Sequence, residues 1–291
     1  MAAQKIVSYG RINLFLGVLL LALLSATWLL ERDPGPAQTE RLTAWQPEQI
    51  RQLKIANRSG PAFELERDNG GWRMTTPYRV QANQSRIERL LPISSAAVTA
   101  SFPLPTTELE QFGLDKPLAE LWLNGRRLLI GATDPVNHQR YVANGERLLL
   151  IHDTFPHLLL APAEQYVAPQ LIATEGEIEW LSTPGWRLDR QPQSLQTWRL
   201  EPAPAQISND LLIAKIADWR YAQAASVSRA GLDPDARAGI RLQISGENAP
   251  REFVLVETET RPLLVDPTSQ LGYEIPNIEA LLAAPGSNPP E

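Results

Sequence analysis

Apolar residues follow three different patterns along this chain. Residues 12–30 (INLFLGVLLLALLSATWLL) form one apolar run without a charge, whereas later stretches alternate, or repeat at helical spacing. A helix of ~20 mostly apolar residues spans a bilayer core, because lipid offers its backbone no outside partner. Lys5 and Arg11 precede the run and Glu31, Arg32 and Asp33 follow it. Positive charge stays on the cytoplasmic side, so the pattern predicts residues 1–11 inside and the body outside. Trp28 falls where an interfacial aromatic belt would lie. The competing reading is a cleaved signal peptide, with an apolar stretch of ~7–15 residues and a small-x-small site after it. Ala26 has Leu24 at its minus-three position, and Gly35-Pro36-Ala37 lies behind a charged segment, so the run reads as an uncleaved anchor.

Beyond a linker at 31–47, the pattern is written twice. The first copy is expected over 48–172 and the second over 177–282, with a disordered tail at 283–291 (from APGSNPPE). Each has a Trp-Arg-apolar strand with Pro close behind: Trp72-Arg73-Met74 with Pro77, and Trp198-Arg199-Leu200 with Pro202. Each then has helical spacing, Ile87, Leu90 and Leu91 in the first and Leu212, Ile216 and Trp219 in the second. Asn83 or Ser85 can cap the first helix, and Ser208 or Asn209 the second. The phrase Gly113-Leu114-Asp115 with Pro117 recurs as Gly231-Leu232-Asp233 with Pro234. Alternating strands follow in both, and each copy closes with a strand, a turn and a short apolar helix. The expected fold is α+β, a transmembrane helix followed by a pseudo-twofold pair of mostly antiparallel sheet-plus-helix units.

The Gly-Leu-Asp phrase has a local explanation. Residues 107–112 (TELEQF) suit a short helical turn, with Thr107 and Glu110 spaced as a capping box. Gly113 then suits the left-handed cap, Leu114 its apolar contact, and Pro117 ends the helix. Both glycines are expected at positive φ or at the end of a helical turn.

These phrases in this order resemble the family known as domain-of-unknown-function 4340. The features are an N-terminal anchor, a Trp-containing strand (ELERDNGGWRMTTP), a capped helix (ANQSRIERLL), the phrase from Phe112 to Pro117, a strand ending in Ile130-Gly131, and the Tyr141-Val142 strand. The second copy departs from it, lacking a Phe before Gly231 and the Ile-Gly ending. The resemblance implies an accessory envelope role beside ABC-transporter components, and it carries no catalytic residues.

Composition narrows the chemistry. With no Cys there is no disulfide, thiol nucleophile or lipoprotein anchor. The formal net charge is -6, which disfavours phosphate backbones and anionic headgroups as broad partners. No P-loop, HExxH, GxSxG or EF-hand pattern occurs. His138, His152 and His157 lack metal-ligand spacing, and His152-Asp153 point to opposite faces if they lie on a strand. No catalytic, cofactor or metal site is therefore expected. The most varied polar stretch is 131–141 (GATDPVNHQRY), where Asp134, Asn137, His138 and Arg140 can meet an anion or a sugar. The simpler reading is a hairpin connection opened by Asp134-Pro135. Trp72, Trp122, Trp180, Trp186, Trp198 and Trp219 lie in expected strands or helices, so core packing is their default role.

The expected function is that of a non-catalytic, single-pass inner-membrane protein with an extracytoplasmic body. It would bind an inner-membrane complex such as ABC-transporter subunits, with no cofactor and no nucleic acid. The alternatives are an envelope hydrolase for glycan or peptide, needing only two carboxylates ~5–9.5 Å apart, and a module binding a glycan or small ligand between the copies.

Overall fold

Alternating strands dominate what the chain builds. A computed structural model describes residue 20 and residues 40–173, 175–191, 197–203, 206–232, 239–259 and 261–287. The expected membrane span at 12–30 lies outside the described residues apart from Leu20. Among the described residues no helix is long and apolar enough to cross a membrane. The folded body is the unit Arg41–Glu291.

Copy one contains β1 (Gln52–Asn57), β2 (Phe63–Asp68), β3 (Gly71–Thr76), β4 (Val80–Gln81), α1 (Gln84–Leu90), β5 (Val98–Pro103), β6 (Ala119–Leu123), β7 (Arg126–Thr133), β8 (Gln139–Asn144), β9 (Arg147–His152) and α2 (Pro156–Leu159). Copy two contains β10 (Ile178–Ser182), β11 (Arg187–Arg190), β12 (Trp198–Glu201), α3 (Asn209–Arg220), β13 (Ser226–Arg229), β14 (Ile240–Ile244), β15 (Arg251–Val256), β16 (Leu263–Asp266), β17 (Leu271–Glu274) and α4 (Ile278–Leu282). The sheet orders are β4-β3-β2-β1-β6-β7-β8-β9-β5 and β12-β11-β10-β14-β15-β16-β17-β13. Replacing each strand by its counterpart makes the two orders identical, except that among the described residues copy two has no equivalent of β4. The duplication is therefore a duplication of topology as well as of short phrases.

Burial follows the alternation. Ala119, Leu121 and Leu123 point inward from β6, as Ile240, Leu242 and Ile244 do from β14. The helices cover these inner faces, with Ile87, Leu90 and Leu91 buried in copy one and Leu212, Ile216 and Trp219 in copy two. Asn83 caps α1, its side chain accepting from Arg86 N at 3.1 Å, and Ser208 caps α3 through Leu211 N. Past Leu90 the chain tightens into a 3-10 turn at Leu91–Ser95, where Pro92 removes a donor.

One detail ties the copies together closely. The side chain of each helix's first residue accepts from the backbone N–H of the strand Trp: Gln84 Oε1 from Trp72 at 2.9 Å, and Asn209 Oδ1 from Trp198 at 3.0 Å. The strand and helix are locked in the same register twice.

The copies begin earlier than expected. Arg41 bridges Ala97 as Gln170 bridges Gln223, and Leu42 N donates to Ala96 O as Leu171 N donates to Ala222 O. Leu42 and Leu171 are both buried. Residues 41–43 are thus not linker but an arm laid across copy one, and 169–171 are the matching arm of copy two. At the other end, Ala284 packs against the core. A Cβ on Gly286 would lie 3.5 Å from Ile207 Cδ1. Folded structure therefore extends into the expected tail, and residues 288–291 lie outside the described residues.

The pairing is not twofold. Copy one meets copy two through its β3–β4 edge and the closing turn Ala163–Tyr166, while copy two presents β13, β15 and β17. A twofold axis would bring equivalent strands together. The chain instead passes straight from one closing turn into the next arm, which stacks the copies in tandem.

Candidate functional site

The polar stretch at 131–141 resolves into the turn between β7 and β8. Asp134 N donates to Gln139 O at 2.6 Å and His138 N donates to Asp134 O at 3.0 Å. The Asp134 carboxylate accepts from Asn137 N at 2.9 Å and from the Tyr141 hydroxyl at 3.2 Å. The Asn137 N–H, and after it the Tyr141 hydroxyl, hold this carboxyl below the usual range; burial and Asp134 raise the Tyr141 phenol. Arg140 turns away from the loop. Its Nε donates to Asp153 Oδ1 at 3.0 Å, its Nη2 to Oδ2 at 2.5 Å, and its Nη1 to Gly131 O at 2.8 Å. Asn137 and His138 are exposed, with His138 at φ 55. The four residues therefore do not converge: Asp134 closes the turn and Arg140 pins β8 to the chain after β9.

His138, His152 and His157 are all exposed, and among the described residues no group of three or more His, Asp or Glu side chains is placed to hold a metal ion. Asp153 serves Arg140 rather than its neighbour His152. Trp72, Trp186, Trp198 and Trp219 are buried as expected. Trp122 and Trp180 depart from that expectation, for both are half-buried on outer sheet faces under cations. Lys54 and Arg127 lie 5.4 and 5.7 Å from the Trp122 ring, and Arg187 lies 4.5 Å from that of Trp180.

The Gly-Leu-Asp phrase of copy one has a packing role. Gly113 ends the turn Leu109–Phe112 at φ 64, as expected. The expected capping box is absent: the residue preceding the turn is Glu108, itself left-handed at φ 61, and Thr107 provides no cap. A Cβ on Gly113 would stand 2.7 Å from Ala132 N, and one on Gly131 would stand 2.3 Å from Phe112 O. The Phe-Gly-Leu-Asp and Ile-Gly phrases are thus two sides of one backbone contact. Leu114 is buried in a small cluster with Ala143 and Leu148 on the outer face of the sheet. That second cluster explains why β9 is buried along its length rather than alternating.

A polar cleft of about 290 Å³ lies between the copies, bounded by the β3–β4 edge, residues 168–173 and the β15–β17 side of copy two. Its polar lining includes Arg73, Arg79, Gln170, Arg251, Thr268 and Tyr273. Arg251 is held by Glu247 at 2.5 Å and by Leu171 O at 3.4 Å. Burial first, then Asp266, pushes the Tyr273 phenol up to about 12. The alternation of β3 placed Arg73 on a strand but did not show that its neighbour in space is another copy. Nothing in the sequence marks Arg79.

The family described as Domain of unknown function (DUF4340) matches residues 17–117 and, overlapping, residues 72–235. The chain belongs to this family. Both matches of the DUF4340 pattern end at a Gly-Leu-Asp phrase, one at Pro117 and one just past Pro234. The family pattern thus reaches both copies, including the one with the weaker phrases. No curated protein and no solved structure matches the chain.

Proposed function

We propose that this DUF4340 protein is a non-catalytic, membrane-anchored component of an envelope complex, held in the inner membrane by residues 12–30 with its body on the outer side. The observation that carries the reading is the uncharged run at 12–30, preceded by Lys5 and Arg11 and followed within about ten residues by a folded body starting at Arg41. A body so close to the bilayer is suited to docking on a neighbouring integral membrane protein. ABC-transporter subunits are the partners that the family resemblance favours. The two tandem copies add broad sheet faces and loops for such contact.

The test has two parts. Membranes from cells expressing the full chain are washed with alkaline carbonate, and the chain should stay in the pellet. Purification in mild detergent should then recover transporter subunits with it. Release into the wash, or recovery of chaperones and outer-membrane contaminants alone, overturns the proposal.

A further inference from the structure

We infer that the cleft between the two copies binds a small anionic molecule, presenting a carboxylate or phosphate group to Arg73 and Arg79 and an apolar part to Val80, Leu171 and Phe253. The two guanidinium groups are exposed at the cleft and unengaged: among the described residues neither has an ion-pair or hydrogen-bond partner. Other cations near the cleft are engaged, Arg251 by Glu247 and Arg241 by Glu252 at 3.0 Å. The two carboxylates lining the cleft are engaged as well. Glu252 holds Arg241, and Asp266 accepts from Thr268 N at 2.8 Å and from Ser269 Oγ at 2.7 Å. What the cleft leaves unmatched is positive charge, on a chain whose formal net charge is -6.

The rest of the wall suits such a ligand. Gln81, Gln170, Thr268 and the Tyr273 hydroxyl supply neutral polar groups, and Val80, Leu171 and Phe253 supply apolar contact. A few placed polar groups in a partly apolar concavity at a junction between packed units is the usual make-up of a small-molecule site. The volume of about 290 Å³ falls just below the range of such sites, ~300–1,000 Å³, and suits a small ligand. Guanidinium pairs suit carboxylate and phosphate because both offer planar or tripodal oxygens to a forked donor. A glycan is the poorer fit, since no Trp lines the cleft among the described residues. The inference concerns the body alone and does not depend on the envelope reading.

The experiment uses the full chain in a non-ionic detergent, titrated calorimetrically with phenyl phosphate, succinate and methyl glucoside. At least one anion should bind saturably, the two anions deciding between phosphate and carboxylate, and methyl glucoside should not. The double variant Arg73→Gln/Arg79→Gln should weaken anion binding by at least about tenfold. Arg199→Gln, at the position equivalent to Arg73 in copy two, should leave it unchanged. Thr268→Trp fills the mouth from copy two and should also abolish binding, which guards against misfolding of the Arg variant. If neither anion binds saturably, if only methyl glucoside binds, or if the Arg double variant binds as the parent does, the inference is overturned.

Discussion

The glycines that open the two Gly-Leu-Asp phrases do different physical work in the two copies. In copy one, Gly113 is left-handed and fits against Ala132, while Gly131 fits against Phe112 O, so two backbones touch where any Cβ would intrude. In copy two, Gly231 lies two residues past β13, lacks a positive φ, and among the described residues has nothing within 4 Å of where a Cβ would be. The expectation that both glycines would be left-handed or end a helical turn fails for Gly231. The reason is that copy two has no counterpart of the Ile-Gly ending for a turn to pack against. Its outer face is covered instead by Ala230, close against Gly272. The Trp strand behaves in the opposite way: Trp72 and Trp198 are held by the same bond to the first residue of the following helix, although that residue is Gln84 in one copy and Asn209 in the other. A repeated phrase and a repeated role are therefore separate things, and the second is tested only in space.

Four measurements test how far the two copies are equivalent. The largest effect should come from Trp72→Ala and Trp198→Ala, each losing about 3–5 kcal/mol in urea unfolding, as for other buried aromatics. A silent result for either one would end the claim that the two strands are equivalent. Next, Gly113→Ala and Gly131→Ala should each cost about 2–4 kcal/mol, combining left-handed strain or backbone overlap with overpacking. Gly231→Ala should stay within about 0.5 kcal/mol, and an equal loss there would restore the symmetry denied above.

The third measurement uses alkaline pH. Burial raises Tyr166, in the closing turn of copy one, and Tyr273, at the cleft, to about 12. Phenols in the unfolded chain titrate near 10. Above pH ~10 the unfolded chain therefore releases protons first, so the stability held below that pH falls as pH rises towards 12. The loss should be on the order of 2 kcal/mol per tyrosine, read from melting against pH, and each Tyr→Phe variant should flatten its share of the slope. A slope unchanged in both variants would show that the phenols titrate normally. Smallest are Gln84→Ala and Asn209→Ala, each expected to lose about 1–2 kcal/mol by orphaning a Trp N–H. Unequal losses would mark which copy relies more on that bond.

Legibility varied with distance along the chain. Helix starts at Asn83 and Ser208, the alternation in β6 and β14, and the buried face of α3 were readable because each rests on residues within a turn or two. The hairpin reading of 131–141 matches the turn observed, but the Arg140 pairing with Asp153 crosses from β8 to beyond β9 and leaves no local mark. The arm at 41–43 was read as linker, because one buried Leu42 among polar neighbours carries no periodicity. Its role emerges only from its likeness to 169–171.

By itself the sequence determined that the body is a duplication and which aliphatic positions of its clearest strands and helices face inward, for these follow from the period of burial along single elements; of the six Trp expected in the core it was right for Trp72, Trp186, Trp198 and Trp219 and not for Trp122 and Trp180. The tertiary structure alone decided that the copies stack through unlike surfaces, that Gly113 and Gly131 are one contact, and that Arg73, Arg79 and Tyr273 line one cleft. Each of those depends on which backbones come within a few ångströms after folding. Residues far apart in the chain carry no periodic signal of that meeting, because the side chains that meet are selected by packing between elements rather than within them.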